Sequence, residues 1–299
     1  MKALAGDLKG KTAIVTGTGG IGYAAAHALG AAGASVVIAG RSAEKGERAV
    51  RGIKDDFPDA DVRFELLDLS DLESVAAFAA RMKAELASLD ILLCLAGLMM
   101  PDSLKKTKEG AEEQFAANYL GHFALTAGLF PLLRAGRGRV VTISSIANRP
   151  LRFDPADARA ERGYSASLSY ALSKLCCLMF AIEFARRSEE GGWGVAAYCV
   201  HPGLARTKLF DHSRGFTMTL LRIIFFIFPF IRQSAKHAAL PALFAAASPK
   251  AAPGRYYGPW FCFIGPPRPA LVPLRAKNRL LREKLWDLST SLTGLDIAE

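Results

Sequence analysis

Six short apolar runs punctuate the first two-thirds of this 299-residue chain: Lys11–Thr16, Ser35–Ala39, Val62–Leu67, Ile91–Leu95, Arg139–Ile143 and Val195–Val200. Each is bounded by glycine, aspartate or charge, and segments of helical spacing lie between them. In Ser70–Ser88, for example, Leu72, Val75, Ala76, Ala79, Met82 and Leu86 share a face. Strands that are apolar throughout must be covered on both sides, and strands joined through helices run parallel. The pattern therefore predicts an α/β, doubly wound fold with a central parallel sheet, helices on both faces and right-handed crossovers. No long linker or internal repeat interrupts it, so residues 1–299 are expected to form one domain. A hydrophobic content of 51% with 22% charged residues supplies the core such a domain needs.

Between the first run and the helix after it lies Thr16-Gly17-Thr18-Gly19-Gly20-Ile21-Gly22. Glycine permits a tight turn and lets backbone N–H groups approach a pyrophosphate, while a helix N-terminus adds about half a positive charge. Gly17, Gly19 and Gly22 fit the G-x-G-x-x-G spacing of a Rossmann-type dinucleotide site, and the strand-to-helix context gives that spacing weight. An acidic residue at the end of the second strand would bind a free ribose 2′-OH. Here the strand ends in Gly40-Arg41, with Ser42 and Lys45 close by. A guanidinium suits a 2′-phosphate, so NADP(H) is expected in preference to NAD(H). The alternative is that Arg41 stacks on the adenine or points into solvent.

The formal charge of +10 suits an anionic ligand such as a dinucleotide, or an acidic membrane surface. Basic and aromatic residues are not interleaved as base stacking would require, so nucleic acid is not an expected partner. Cys94, Cys176, Cys177, Cys199 and Cys262 are odd in number, form no CxxC pair and sit in apolar runs. They read as reduced, buried thiols of a cytoplasmic protein. No Cys/His cluster has ligand spacing, and no metal is expected. The opening MKALAGDLKGKT is too polar to read as a signal peptide.

Tyr170-Ala-Leu-Ser-Lys174 falls on an expected helix, where positions i and i+4 lie one turn apart on the same face. An ammonium beside a phenol favours the phenolate; lowering a tyrosine pKa from about 10 to about 7 takes roughly 4 kcal/mol. Ser144-Ser145 closes the fifth strand, at the carboxyl rim where open parallel sheets bind ligands. Asn118 lies on the preceding helix, in "FAANYLGHFALT".

Together these motifs resemble the short-chain dehydrogenase/reductase family over nearly the whole chain. "NYLGHFALT", "SYALSKL", "HPGLARTKL" and the insertion between Ser145 and Tyr170 look most like its retinol-dehydrogenase and protochlorophyllide-reductase-like branch. The resemblance implies that Tyr170 is the acid/base and that Lys174 lowers its pKa and binds the nicotinamide ribose. Ser145 would hold the substrate oxygen, with Ser144 the alternative, and Asn118 a water in a proton relay to Lys174. Asp68-Leu69 would meet the adenine, Ala96-Gly97 the back of the cofactor, and Pro202-Gly203 with Thr207 the carboxamide side. Residues 1–145 would then be mainly the cofactor half. Residues 146–299 would carry the catalytic helix, a substrate region over 204–250 and a C-terminal strand and helix. The implied activity is NADP(H)-dependent interconversion of an alcohol and a carbonyl on a small molecule. The alternative is a non-catalytic dinucleotide-binding sensor or scaffold. An epimerase or dehydratase is disfavoured, because Tyr23 stands where TGxxGxxG has its last glycine. A homodimer or homotetramer built on the Asn118 and Tyr170 helices follows by the same analogy.

Two departures stand out. The family's TGxxxGxG is one residue shorter here, so NADP preference rests more heavily on Arg41. Its NNAG is Cys94-Leu95-Ala96-Gly97, so backbone groups that the lost amides would brace need other partners. The five histidines carry no metal or triad spacing; His122 and His201 match structural or pocket-lining positions. Lys-rich Leu104–Gly110 and polar Asn148–Ser167 read as surface segments. Phe216–Ile231 is very apolar but interrupted by Arg222 and Pro229, and is short of the ~20 residues of a spanning helix. It reads as a buried or substrate-facing helix pair, or else as a surface that contacts a membrane or admits a lipophilic substrate. The tail, roughly Leu274–Leu292, reads as a solvated amphipathic helix with Leu274, Leu281, Leu285 and Leu288 on one face; membrane contact is the alternative.

Overall fold

The computed structural model describes residues 7–150, 159–160, 163–204 and 233–297. Strands β1 (Thr12–Thr16), β2 (Ser35–Gly40), β3 (Val62–Leu66), β4 (Ile91–Cys94), β5 (Arg139–Ile143) and β6 (Ala196–Val200) match the six apolar runs to within a residue. Two more, β7 (Tyr256–Pro259) and β8 (Pro267–Pro269), complete one sheet in the order β3-β2-β1-β4-β5-β6-β7-β8. All neighbours pair in parallel except β7 and β8, which form an antiparallel hairpin. Prolines at both ends of β8 remove ladder donors at this edge and discourage further pairing. From β1 the chain winds outward through β2 and β3, then returns to β4 on the other side of β1. The reversal opens a crevice between the carboxyl ends of β1 and β4.

Strand residues alternate between two cores, as the two-residue period demands. Ile14, Leu92, Val140 and Ala197 join one core; Val15, Leu93, Val141 and Tyr198 join the other. Helices α1 (Gly20–Ala31) and α2 (Ala43–Asp56) cover the second core and α3 (Leu72–Glu85) the first. Helix α4 is continuous from Glu113 to Gly128 but passes through a π turn at Ala116–Leu120. It is followed by α5 (Phe130–Gly136) and, after β5, by α6 (Ala166–Glu190). Among the described residues α6 is the one helix long and apolar enough to cross a membrane, yet most of it is buried in the first core. Short α7 (Ala235–Ala238) and α8 (Leu240–Ala247) return to the second core.

Three expectations change. The tail is not one solvated helix: it breaks at Asn278 into α9 (Leu274–Lys277) and α10 (Arg279–Thr293), where Asn278 Oδ1 caps α10 through the Leu281 amide. Leu274 is exposed, and the face that packs against α4 and α6 is led by Leu285, Trp286 and Ser289. Trp286 stacks on Phe180, and Ser289 Oγ, having donated to the Leu285 carbonyl, accepts from the Tyr119 hydroxyl at 2.6 Å. The polar segment after β5 does not begin at the surface, because Asn148 is buried and donates to Ser144 Oγ and Tyr256 Oη. Four cysteines are buried as expected, but Cys262 is exposed in the β7–β8 turn. Phe216–Ile231 lies outside the described residues.

The tail is fastened by a buried carboxylate. Glu183 on α6 meets Arg186, Arg187 Nε at 3.0 Å and Arg282 Nε of α10 at 3.2 Å. Burial pushes its carboxyl up, but hydrogen bonds from the three guanidiniums and the Arg186 charge outweigh that and hold it below the ordinary value. Arg282 also donates to the Ala276 and Lys277 carbonyls that end α9. Glu183→Ala would leave Arg282 buried without its counter-charge, and breaking a buried pair costs about 3–5 kcal/mol. Urea unfolding should register that loss, together with protease cleavage between α9 and α10 at lower urea than in the wild type.

Candidate functional site

At the crevice, β1 ends in the glycine loop and α1 begins. Gly17 has φ +102°, a conformation suited to glycine, and its amide bonds the Ala39 carbonyl at 2.8 Å. A Cβ on Gly22 would lie 2.4 Å from the Gly17 oxygen, so helix and loop meet only because Gly22 has no side chain. Gly19 and Gly20 are exposed, and a Cβ on Gly19 would meet nothing within 4 Å. No side chain caps α1 and no acid stands in its first turn. Unclaimed N–H groups, the positive helix end and an open approach fit a pyrophosphate. Thr18 packs its methyl where a Gly40 side chain would be, 2.8 Å from that Cβ position. Arg41, next in sequence, is exposed and has no ion-pair partner among the described residues, while Ser42 Oγ is occupied capping α2 through the Lys45 amide. Asp68 Oδ1 accepts from the amide and hydroxyl of Ser70, and Leu69 beside it is buried.

Behind the loop, the substituted Cys94-Leu95-Ala96-Gly97 segment does find partners. Thr16 Oγ1 accepts from both the Leu95 and the Ala96 amides, at 2.9 and 3.0 Å. It also contacts His122 Nε2 at 2.9 Å, and His122 Nδ1 contacts the Asn118 carbonyl at 2.9 Å. A carbonyl can only accept, so Nδ1 carries the proton, Nε2 accepts and the Thr16 hydroxyl donates to it. Burial holds His122 neutral, its pKa pushed down to about 4. The π turn reshapes the helix where Asn118 sits, and the Asn118 carbonyl also takes the Cys177 thiol at 3.2 Å. Asn118 Oδ1 accepts from the Leu98 amide, while Nδ2 donates to the Leu98 carbonyl and to Ser173 Oγ. Thr16, His122 and Ser173 form the supporting frame, and the sequence reading gave none of them a role in the chemistry. Their signal was a fully or nearly fully buried polar side chain on an otherwise apolar face.

The serine pair divides. Ser144 is buried and donates to the Lys174 carbonyl at 2.7 Å, so it anchors α6. Ser145 is half-buried and, among the described residues, its hydroxyl accepts only the Ala147 amide, at 3.2 Å. Tyr170 and Lys174 lie a turn apart on α6, with the Lys174 ammonium 5.8 Å from the Tyr170 ring centre. Lys174 Nζ donates to the Ile143 carbonyl at 3.2 Å, which leaves two of its hydrogens for other acceptors. Asn118 Oδ1 and Lys174 Nζ both lie within 3.4 Å of the point where a Cβ on Gly97 would stand. Among the described residues the Tyr170 hydroxyl has no hydrogen-bond partner, and Ser145 is not bonded to it. Pro202 and Gly203 continue β6 at the same rim, the Gly203 amide donating to His201 Nδ1. Thr207 lies outside the described residues.

The short-chain dehydrogenase family model matches residues 11–216. The chain belongs to that family. Retinol dehydrogenase 12 of Homo sapiens is 37% identical over 97% of this chain and 88% of its own length. Polyprenol dehydrogenase of Mus musculus is 33% identical over 95% and 84%. The crystal structure of an uncharacterised protein from Mycobacterium paratuberculosis superposes with a TM-score of 0.81 at 32% identity, covering 99% of this chain and 98% of that one. The chain is thus a retinol-dehydrogenase-like oxidoreductase of a family that binds NAD(H) or NADP(H) and acts on small molecules.

Within this short-chain dehydrogenase, His122 and His201 give the rim an acid sensitivity. Burial, with Arg149 nearby, pushes His201 down to about 4 as well. Both folded-state values lie below the ordinary 6.5, so the unfolded chain binds more protons at intermediate pH. Stability present above about pH 6.5 is lost as pH falls towards 4, by up to about 3 kcal/mol for each histidine. His122→Asn should flatten that acid limb in urea melts taken across the range, while lowering stability at neutral pH through the lost Thr16 and Asn118 bonds.

Proposed function

We propose that the protein is an NADP(H)-dependent oxidoreductase interconverting an alcohol and a carbonyl on a lipophilic small molecule. The observation that carries this reading is the gathering of Asn118 Oδ1 and the Lys174 ammonium at the edge of Gly97, with the unpartnered Tyr170 hydroxyl one turn away on α6. NADP(H), when bound, supplies or accepts the hydride. For reduction, the Tyr170 hydroxyl gives its proton to the carbonyl oxygen, and the nearby Lys174 ammonium stabilises the phenolate left behind. Ser145, whose hydroxyl hydrogen has no acceptor among the described residues, donates to the same oxygen and fixes its position. Asn118 positions the segment after β4 against α6 and, as the resemblance implies, holds a water on the relay to Lys174. The amides of Gly19 to Gly22 hold the pyrophosphate, with Gly17 and Thr18 shaping the turn. Asp68 and Leu69 meet the adenine, Ala96 and Gly97 the back of the nicotinamide, and Pro202, Gly203 and Thr207 its carboxamide.

The unpaired guanidinium of Arg41, with no carboxylate at the end of β2, supports a 2′-phosphate. Lipophilicity is supported by the apolar Phe216–Ile231 sequence and by relatives named for retinol and polyprenol. Tyr170→Phe should lose at least about a hundredfold in NADPH-dependent reduction of retinal and long-chain aldehydes. NADPH binding, followed by fluorescence titration, should persist; retained turnover would refute the assigned proton donor. A wild type that binds NADPH but oxidises it with no aldehyde in the panel would mark a sensor instead. Arg41→Asp should weaken NADPH by about tenfold or more relative to NADH, and equal weakening of both would remove Arg41 from the 2′-phosphate.

A further inference from the structure

The net charge is not spread along the chain. From His212 to Arg282 there are eleven lysines and arginines and no aspartate or glutamate, leaving 27 cationic against 28 acidic residues elsewhere. Arg282 and Arg279 pair with Glu183 and Glu283, but Lys250, Arg255, Arg268 and Lys277 are exposed. Within this carboxylate-free stretch, the β7–β8 turn presents Trp260, Phe261, Phe263 and Ile264, exposed by 58, 66, 42 and 37%. Four large apolar side chains side by side in water are costly, and monomeric proteins seldom keep such a cluster without a use for it.

The turn is built rather than loose. The amides of Trp260, Phe261, Cys262 and Phe263 donate to the carbonyls of Pro266, Ile264, Pro259 and Phe261, and Pro266 and Pro267 have no amide hydrogen. Trp260 and Phe261 stack with planes 8° apart, and the Arg268 guanidinium sits 4.8 Å from the Trp260 ring centre. With these four amides bonded internally, the tip strands few backbone donors on leaving water. Tryptophan beside arginine is the pairing that settles where headgroups meet acyl chains. The Phe263 carbonyl accepts from the Leu204 amide, so the turn rests on the segment leaving β6 at the site rim.

We propose that the β7–β8 turn is a membrane-interface anchor. Trp260, Phe261, Phe263 and Ile264 enter the headgroup–acyl boundary of an anionic bilayer, while Arg268, held against the Trp260 ring, meets a lipid phosphate. A second copy docked turn to turn would set one Arg268 against the other, whereas a lipid phosphate neutralises it. The inference is independent of the catalytic reading, because its readout is binding and not turnover.

Cys262 supplies the probe, being the exposed cysteine while Cys94, Cys176, Cys177 and Cys199 are buried. The full chain is labelled there with an environment-sensitive fluorophore, and unlabelled protein is sedimented with phosphatidylcholine vesicles with or without phosphatidylglycerol. Preferential sedimentation with phosphatidylglycerol, weakened by salt, is expected, with a blue shift and quenching by acyl-chain nitroxides. Phe261→Ser, alone and with Ile264→Ser, should cut partitioning by about tenfold or more at an unchanged melting temperature. Absence of binding, or binding that survives these substitutions, overturns the proposal. So does a blue shift that grows with protein concentration without vesicles, which would assign the turn to a second copy. Displacement from vesicles by RNA with no quenching by the nitroxides would assign the charge to nucleic acid and overturn it too.

Discussion

A parallel sheet binds ligands where its strands stop pairing, and stopping leaves backbone amides bare. At the reversal between β1 and β4 the amides of Leu95 and Ala96 point into that gap, and the hydroxyl of Thr16 takes both. Having accepted twice, it has one proton to give, and His122 Nε2 at 2.9 Å is a nearer acceptor than the Leu93 carbonyl at 3.3 Å. That choice fixes the histidine tautomer, which commits Nδ1–H to the Asn118 carbonyl. The position of Asn118 then sets that of Leu98 and of Ser173 on α6. One side-chain hydroxyl thus couples β1, the segment after β4 and α6. It does this inside a buried region, where each unmade bond would cost about 1–3 kcal/mol.

Lys174 shows the same logic from the other side. A buried ammonium is tolerated only where acceptors surround it. The end of β5 grips this residue twice, its main chain through Ser144 and its ammonium through the Ile143 carbonyl. Helix and strand are therefore locked in register at Lys174. Burial also pushes the thiols of Cys94, Cys176, Cys177 and Cys199 up, so this cysteine-rich core remains protonated and unreactive around the lysine.

The strands, their order of use and the rim that carries the site were legible because each is written in local pattern: an apolar run, a glycine turn, a polar residue at a strand end. What escaped depends on contacts distant in sequence. Asn148 is polar and follows a strand, so it reads as loop until Tyr256, from a strand added last, closes over it. The tail read as solvated because leucine periodicity says nothing of Trp286 meeting Phe180 or of Arg282 reaching Glu183. The Ser144-Ser145 pair was ambiguous for a related reason. Adjacent residues leaving a strand face opposite ways, and only the path of α6 decides which one it occupies.

The shortened glycine loop has a structural counterpart in the absent side chain of Gly40. The loop lies against the end of β2, and Thr18 fills the space where a side chain there would project. A Cβ at position 40 would crowd the Thr18 methyl, and the Thr18 side chain would have to give way. The glycine therefore serves the neighbouring turn more than its own conformation, and it fixes where the next residue leaves the strand. That residue is Arg41. Its guanidinium starts from a backbone held by the same contact that positions the glycine loop, so loop and guanidinium are gauged against one another.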